Sequence, residues 1–370
     1  MVAFTPEPLF AYPGTIASVP VYKLSLVGKT TYVAVGDSFT VGNNASPLSN
    51  SFVNLFTTAK GLAVTNLAIG GRGAWSCANS IQSTGFTRGA TVVHWMGGFN
   101  DLRRNGLLSG GNFVDPRVVK KIEAGLRAVI LKAIGGVSTA PGGSSLVTRT
   151  GTFAAYAANT VGGTYQNGTL GGSNIAAFTS TDGSKWTWTF TGTGFGIQFI
   201  ANSGDVQTFG TADVYIDGVL NRSVNLNNWY DNVSDGSYDN RRGPLGQTWH
   251  GLSAGSHTVE VVSHGGIVAI DYFTILQTLA NSGSFIVWDI PYMDATGYAL
   301  SPNQGSVAAT DLANAVQRSV VSEFRGNGYN IVAAPSNSFY VLATGLDSDH
   351  IHPNNTGHGQ FFDCGVSVCA

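Results

Sequence analysis

The chain has 370 residues and is 43 % hydrophobic, which exceeds the usual size of one core, implies about two folded units and excludes global disorder. Only 11 % of residues are charged and the formal net charge is −2, so there is no electrostatic case for binding nucleic acid or anionic membranes. The 49 glycines and the low charge point to a turn-rich, β-rich protein, and no apolar run reaches the ~18 residues of a membrane span.

Met1 to Gly14 has no basic stretch ahead of an apolar one, so no signal peptide is read there and residues 1–30 are an N-terminal extension. Tyr32-Val33-Ala34-Val35 ends in Gly-Asp-Ser and suits a buried parallel strand. Phe52, Val53, Leu55 and Phe56 give a short helical face, and Val64 to Ile69 and Val92 to Met96 read as further strands. The spacing predicts a helix from Pro116 to Ile134, with Asp115 as N-cap and Gly135 as stop. From about Gly142 to Leu276 the texture is alternating, aromatic and β-branched. Trp186 to Phe190, Ala212 to Ile216 and His257 to Val262 alternate cleanly, which predicts a β-sandwich. The α/β texture returns with a strand at Phe285 to Ile290, a helix at Asp311 to Arg325 carrying Leu312, Val316, Val320 and Phe324, and a strand at Ile331 to Ala334.

The simplest organisation is one α/β unit in two parts, 31–141 and 278–370, interrupted by an all-β insert at 142–277. The chain leaves after a capped helix and returns into a strand, as at a loop that tolerates insertion; the insert is therefore expected to be replaceable without loss of the α/β unit. Cys77, Cys364 and Cys369 have no zinc-ligand spacing; for the last two, a disulfide and free thiols both stay open.

Ester hydrolysis through a covalent intermediate needs a nucleophile, a base, an orienter for the base and an oxyanion hole. Val35-Gly36-Asp37-Ser38-Phe39-Thr40 places a serine just past a strand end. Asn66-Leu67-Ala68-Ile69-Gly70-Gly71, Gly98-Phe99-Asn100-Asp101 and Asp349-His350-Ile351-His352-Pro353 follow in order. Together these segments resemble the four blocks of SGNH (GDSL-like) hydrolases, over both α/β parts. The resemblance implies a three-layer α/β/α, flavodoxin-like domain with a parallel sheet. It implies Ser38 as nucleophile, His352 as base and Asp349 as its orienter. The Ser38 N–H, the Gly71 N–H and the Asn100 side chain would form the oxyanion hole, with Gly70 the alternative to Gly71. His350 is then a neighbour or substrate contact, and Asp37 and Asp101 support loops. In this family a terminal helix follows the last block; here it looks reduced to Gly359-Gln360-Phe361-Phe362 and a Gly/Cys/Val tail. Gly251-Leu252-Ser253-Ala254-Gly255 matches the Gly-x-Ser-x-Gly elbow, but an elbow must lead into a helix. The alternation after it reads instead as a hairpin turn.

The insert resembles a jelly-roll module found beside carbohydrate esterases, with Ile270-Asp271-Tyr272-Phe273 in its last strand. Trp186, Trp188 and Tyr215 alternate inside strands and read as core. Trp229, Tyr230, Tyr238 and Trp249 read as loop aromatics; Trp229, Tyr230 and Asp231 are candidate sugar contacts. Acidic and amide groups nearby could instead hold calcium. The reading is a serine esterase that removes O-acetyl groups from a polysaccharide or glycan and needs no metal or organic cofactor. Its expected partner is the acetylated glycan, with no nucleic acid and no membrane insertion, and its expected place is extracellular or on a virion surface. The alternatives are a phage tail or adhesion-type receptor-binding protein with a spent site, and a lipase or thioesterase.

Overall fold

The structure is a computed structural model that describes residues 22–82, 84–105, 116–139, 145–156, 176–202, 208–227, 242–300 and 305–370. Five strands make a parallel sheet: β1 (Thr31–Gly36), β2 (Ala63–Asn66), β3 (Thr91–Met96), β15 (Ser284–Trp288) and β16 (Ile331–Ala334). They lie in the order β16-β15-β3-β1-β2. Numbered within this sheet alone, that is the 2-1-3-4-5 doubly wound order, in which the connections diverge beside β1.

Helices cover both faces. They are α1 (Ser38–Val41), α2 (Phe52–Lys60), α3 (Ala74–Gln82), α4 (Phe99–Asn105), α5 (Pro116–Ile134), α6 (Ala295–Ala299), α7 (Val307–Gly326), α8 (Leu342–Gly345) and α9 (Asn355–Ser367). Successive side chains of a strand face opposite ways, and β3 shows which helices lie on which side. His94 packs against Phe52 of α2, with ring centroids 5.5 Å apart. Its neighbour Trp95 points the other way and donates to Gln317 of α7 at 2.6 Å.

Between residues 135 and 276 the described strands pair antiparallel in two sheets. One has the order β11-β10-β13-β8-β5 and the other β12-β9-β14-β7-β6, with β4 added on β14. The strands are β4 (Gly135–Thr139), β5 (Val147–Thr150), β6 (Ala154–Tyr156), β7 (Ala176–Thr179), β8 (Lys185–Gly192), β9 (Phe195–Asn202), β10 (Thr211–Ile216), β11 (Val219–Asn225), β12 (Arg242–Trp249), β13 (Gly255–His264) and β14 (Val268–Leu276). Alternate residues of β8 and β13 are buried. Trp188 of β8 meets Phe273 of β14 across the sheets at 5.3 Å. Two sheets sharing their inner faces are a sandwich.

Several expectations change. The β part begins before residue 142, because β4 follows α5 without a loop and pairs with β14. Its outer sheet lies directly on α5 and α3. A Cβ at Gly246 of β12 would stand 2.8 Å from the Ala128 backbone of α5, and one at Gly243 2.0 Å from Trp75 of α3. Trp75 and Ala124 accordingly belong to the sandwich core. The segment 251–255 is no hairpin: β12 pairs with β9 and β13 with β8 and β10, so it crosses between sheets. Trp249 is stacked on Phe195 at 4.6 Å inside the core, whereas Tyr215 is only half-buried because it alternates with buried Ala212 and Val214. Helix α7 starts earlier than Asp311, since Ser306 caps it by accepting from the Ala309 N–H, and Leu312 faces out at 39 % exposure. Strand β2 stops at Asn66 because that side chain turns the chain, accepting from the Ala68 N–H and donating to the Thr40 carbonyl.

The tail is not reduced. Helix α9 runs for 13 residues, capped by Asn354. Its glycines let it approach closely, and a Cβ at Gly365 would stand 2.9 Å from Trp288. Cys77, Cys364 and Cys369 are buried free thiols.

Candidate active site

The turn from β1 into α1 is unusually tight. A Cβ at Gly36 would fall 2.5 Å from the Met96 carbonyl, so only glycine lets the chain turn there. Asp37 caps α1, accepting from the Phe39 N–H at 3.2 Å. Ser38 therefore sits at the first turn of a helix, at the carboxyl end of β1, where the connections diverge. Its backbone N–H is one of the amides a helix start leaves without an intrahelical acceptor.

The Ser38 hydroxyl meets His352 Nε2 at 2.8 Å, across 314 residues of sequence. On the other side of the ring, Nδ1 meets Asp349 Oδ2 at 2.6 Å. The remaining Asp349 oxygen accepts from the backbone N–H of Ile351 and of His352 at 2.9 and 2.8 Å. Burial works against the Asp349 charge, yet the hydrogen bonds from His352 and Ile351 outweigh it and hold the carboxyl below its ordinary value. The loop is pinned at both ends: the Asp347 N–H donates to the His352 carbonyl, and the Asn354 N–H to Gly345. Phe39 packs on the His352 ring at 5.4 Å.

His350 turns elsewhere. Its backbone takes a φ of 60°, and its Nδ1 meets Asp294, the cap of α6, at 2.8 Å.

The proposed oxyanion donors lie on two neighbouring segments. Gly70 stands beside Ser38, where an added Cβ would be 3.7 Å from the serine Cβ, and Gly71 has a φ of 79°. Asn100 of α4 donates to the Arg72 carbonyl at 3.0 Å. Asp101 accepts from the Ala74 N–H at 2.6 Å and pairs with Lys121 of α5 at 3.2 Å. Two consecutive residues of α4 thus clamp the loop that follows Gly71, and a buried ion pair ties the clamp to α5. An added Cβ at Gly73 would strike the Asp101 carboxylate at 2.7 Å.

Beneath α1 burial disfavours charge. Burial pushes His94 down to about 3, and its ring nitrogens meet the Tyr32 and Thr40 hydroxyls at 2.7 and 3.2 Å. Burial pushes the Asp37 carboxyl up to about 7, with Asp101 adding to the effect.

Sequence reasoning missed Asn44 and Lys121. Asn44 donates to Asp349 at 3.0 Å from 305 residues away, and no local spacing marks it. Ser253 is no nucleophile: its carbonyl, not its hydroxyl, meets His257 Nε2 at 2.8 Å. Trp229, Tyr230, Tyr238 and Asp231 lie outside the described residues. Among the described residues no group of His, Cys, Asp and Glu could hold a metal ion.

No protein-family model matches the chain, and no curated protein matches it. Solved structures do. A two-domain esterase active on acetylated mannans matches with 12 % identity and TM-score 0.34, covering 68 % of this chain and 93 % of that one. A family two carbohydrate esterase from Cellvibrio japonicus matches with 14 % identity and TM-score 0.26, covering 38 % of this chain and only 33 % of that one. A family 35 carbohydrate-binding module from an environmental isolate gives 14 % identity and TM-score 0.24, covering 35 % of this chain and 85 % of that one. Superpositions this loose do not bear on activity.

Proposed function

We propose that this chain is a serine esterase of the SGNH type that removes O-acetyl groups from a polysaccharide or glycan. One observation carries the reading: Ser38, His352 and Asp349 form a continuous hydrogen-bonded chain, 2.8 Å then 2.6 Å, at the carboxyl end of β1. His352 Nε2 takes the Ser38 proton as the oxygen attacks the ester carbonyl. Asp349 holds the proton on Nδ1, so that Nε2 is free to act as base. The Ser38 and Gly71 amides and the Asn100 side chain take up the oxyanion charge. The protonated imidazole then returns its proton to the departing sugar oxygen, and the same ring activates water to free acetate from Ser38.

The glycan side of the reading draws on the sandwich, residues 142–277 together with β4, which we take as a substrate-steering unit. It is packed against α5, the helix that also anchors the oxyanion clamp. An intact triad speaks against the spent site of a purely receptor-binding protein. The test is acetate release from a panel of acetylated polysaccharides, with Ser38→Ala as control and a phosphonate probe to mark the nucleophile. An adduct on another serine, or activity retained in purified Ser38→Ala, would overturn the assignment.

A further inference from the structure

Strands β11 and β12 are outer strands of different sheets, and α5 packs on β12. Between the three is a cleft of about 250 Å³, lined among others by Lys120, Arg127, Arg222 and Gln247. It has room for a single pyranose ring. Helix α5 runs from the catalytic end of the parallel sheet, where Lys121 reaches Asp101, to the opposite end, where the Ala133 carbonyl accepts from Gly283 just before β15. Lys120 and Glu123 lie in its first half and Arg127 just past its midpoint.

The charges in the cleft do not balance. Arg127 is fully matched, to Glu123 at 2.8 Å and to Glu323 through two bonds of 3.0 and 2.6 Å. Arg222 instead donates to the neutral Gln247 amide at 2.8 Å and lies over the Trp249 ring, 5.0 Å from its centroid. Among the described residues neither Arg222 nor Lys120 has a carboxylate in ion-pair range. Among the described residues, three cations, Lys120, Arg127 and Arg222, stand against two carboxylates, Glu123 and Glu323, which leaves one positive charge.

We propose that this cleft is a subsite for an acidic sugar residue of the polymeric substrate, with Arg222 and Lys120 taking its carboxylate. A guanidinium fixed over an indole keeps its planar fork presented, and that fork matches a carboxylate's two oxygens. One unbalanced charge beside a neutral amide fits a monoanion. The inference deepens the glycan reading and rests on it for the polymer, while binding at the cleft is measured apart from catalysis.

The experiment uses full-length Ser38→Ala protein, titrated calorimetrically with trigalacturonate and with its neutral galactose counterpart. The acidic trisaccharide is expected to bind at least about ten-fold more tightly. Adding Arg222→Gln should remove about ten-fold of that preference, and Lys120→Gln several-fold. Lys120 is exposed, so its variant folds even where Arg222→Gln costs stability. Equal binding of the two trisaccharides would overturn the proposal. So would undiminished binding in both variants, or displacement by inorganic phosphate or acetate at the same concentration as trigalacturonate. Failure of the esterase reading is distinguished by its own result: no acetate release from the unsubstituted protein while trigalacturonate still binds.

Discussion

At the residue scale, two histidines two positions apart have been given different work. His352 bridges Ser38 and Asp349, and His350 is tied to Asp294. His352→Ala should lower kcat by about 10³ or more, and His350→Ala by less than about ten-fold; comparable losses in both would sink the assignment of the base. Asn100→Ala should cost about 10²–10³ in kcat with little change in KM. A normal kcat would leave Asn100 only its bond to Arg72. Asp37 gives a prediction about pH. Burial keeps it protonated up to about 7 in the folded chain, whereas an unfolded aspartate ionises near pH 4. Between those values the folded state binds more protons, so stability falls as pH rises from about 4 to about 7 and stays lower above. Asn keeps the acceptor for the Phe39 N–H and removes the charge. Asp37→Asn should therefore melt about 5 °C higher at pH 8, with the gain gone at pH 4; a pH-independent difference would refute the cause given. The meeting of Ser38, His352 and Asp349 was legible because each block is contiguous and the blocks follow in order. Asn44 and Lys121 were not, because each meets its partner only through the fold.

At the element scale, hydrophobic period identified β1, β3, β16 and the whole of α5, whose buried faces are regular. It failed on α9, where glycines at 357, 359 and 365 lower helix propensity. That helix is held by tertiary contact with Trp288 and Phe56, which no local pattern reports. It failed on β12 as well, whose Trp249 read as a loop aromatic although the strand ends there and Gly243 and Gly246 are where helix and sheet touch. Gly246→Ala should push α5 and β12 apart, because the obstructing atoms are Ala128 backbone. A loss of several kcal/mol is expected, as for overpacking at an unyielding contact, measurable by urea denaturation. On the proposed mechanism activity should fall too, since Lys121 of α5 pairs with Asp101, which holds the loop that follows Gly71. An unchanged midpoint would mean that the two elements can slide.

At the scale of the whole molecule, the sandwich was legible as a class, from its alternating strands and turn residues. Its attachment was not. The sequence reads as a unit inserted at a tolerant loop, and on that view a Gly/Ser linker in place of 142–277 should leave a working hydrolase. The structure predicts the opposite. Removing the sheets would expose Trp75, Ala124 and Leu131, all buried now, and strand β4 would lose β14. The shortened chain should unfold or aggregate and lose activity on p-nitrophenyl acetate as well as on polymer. Differential scanning calorimetry of the full chain should show one transition; two separate ones would argue for independent units. The glycine-lined seam also sets limits on how such a protein can be recombined. Its sandwich is no cassette to be cut at residues 142 and 277 and joined to another hydrolase. A viable exchange has to begin near residue 116, so that helix and sheet travel together as a matched pair and the recipient keeps a groove already shaped for both.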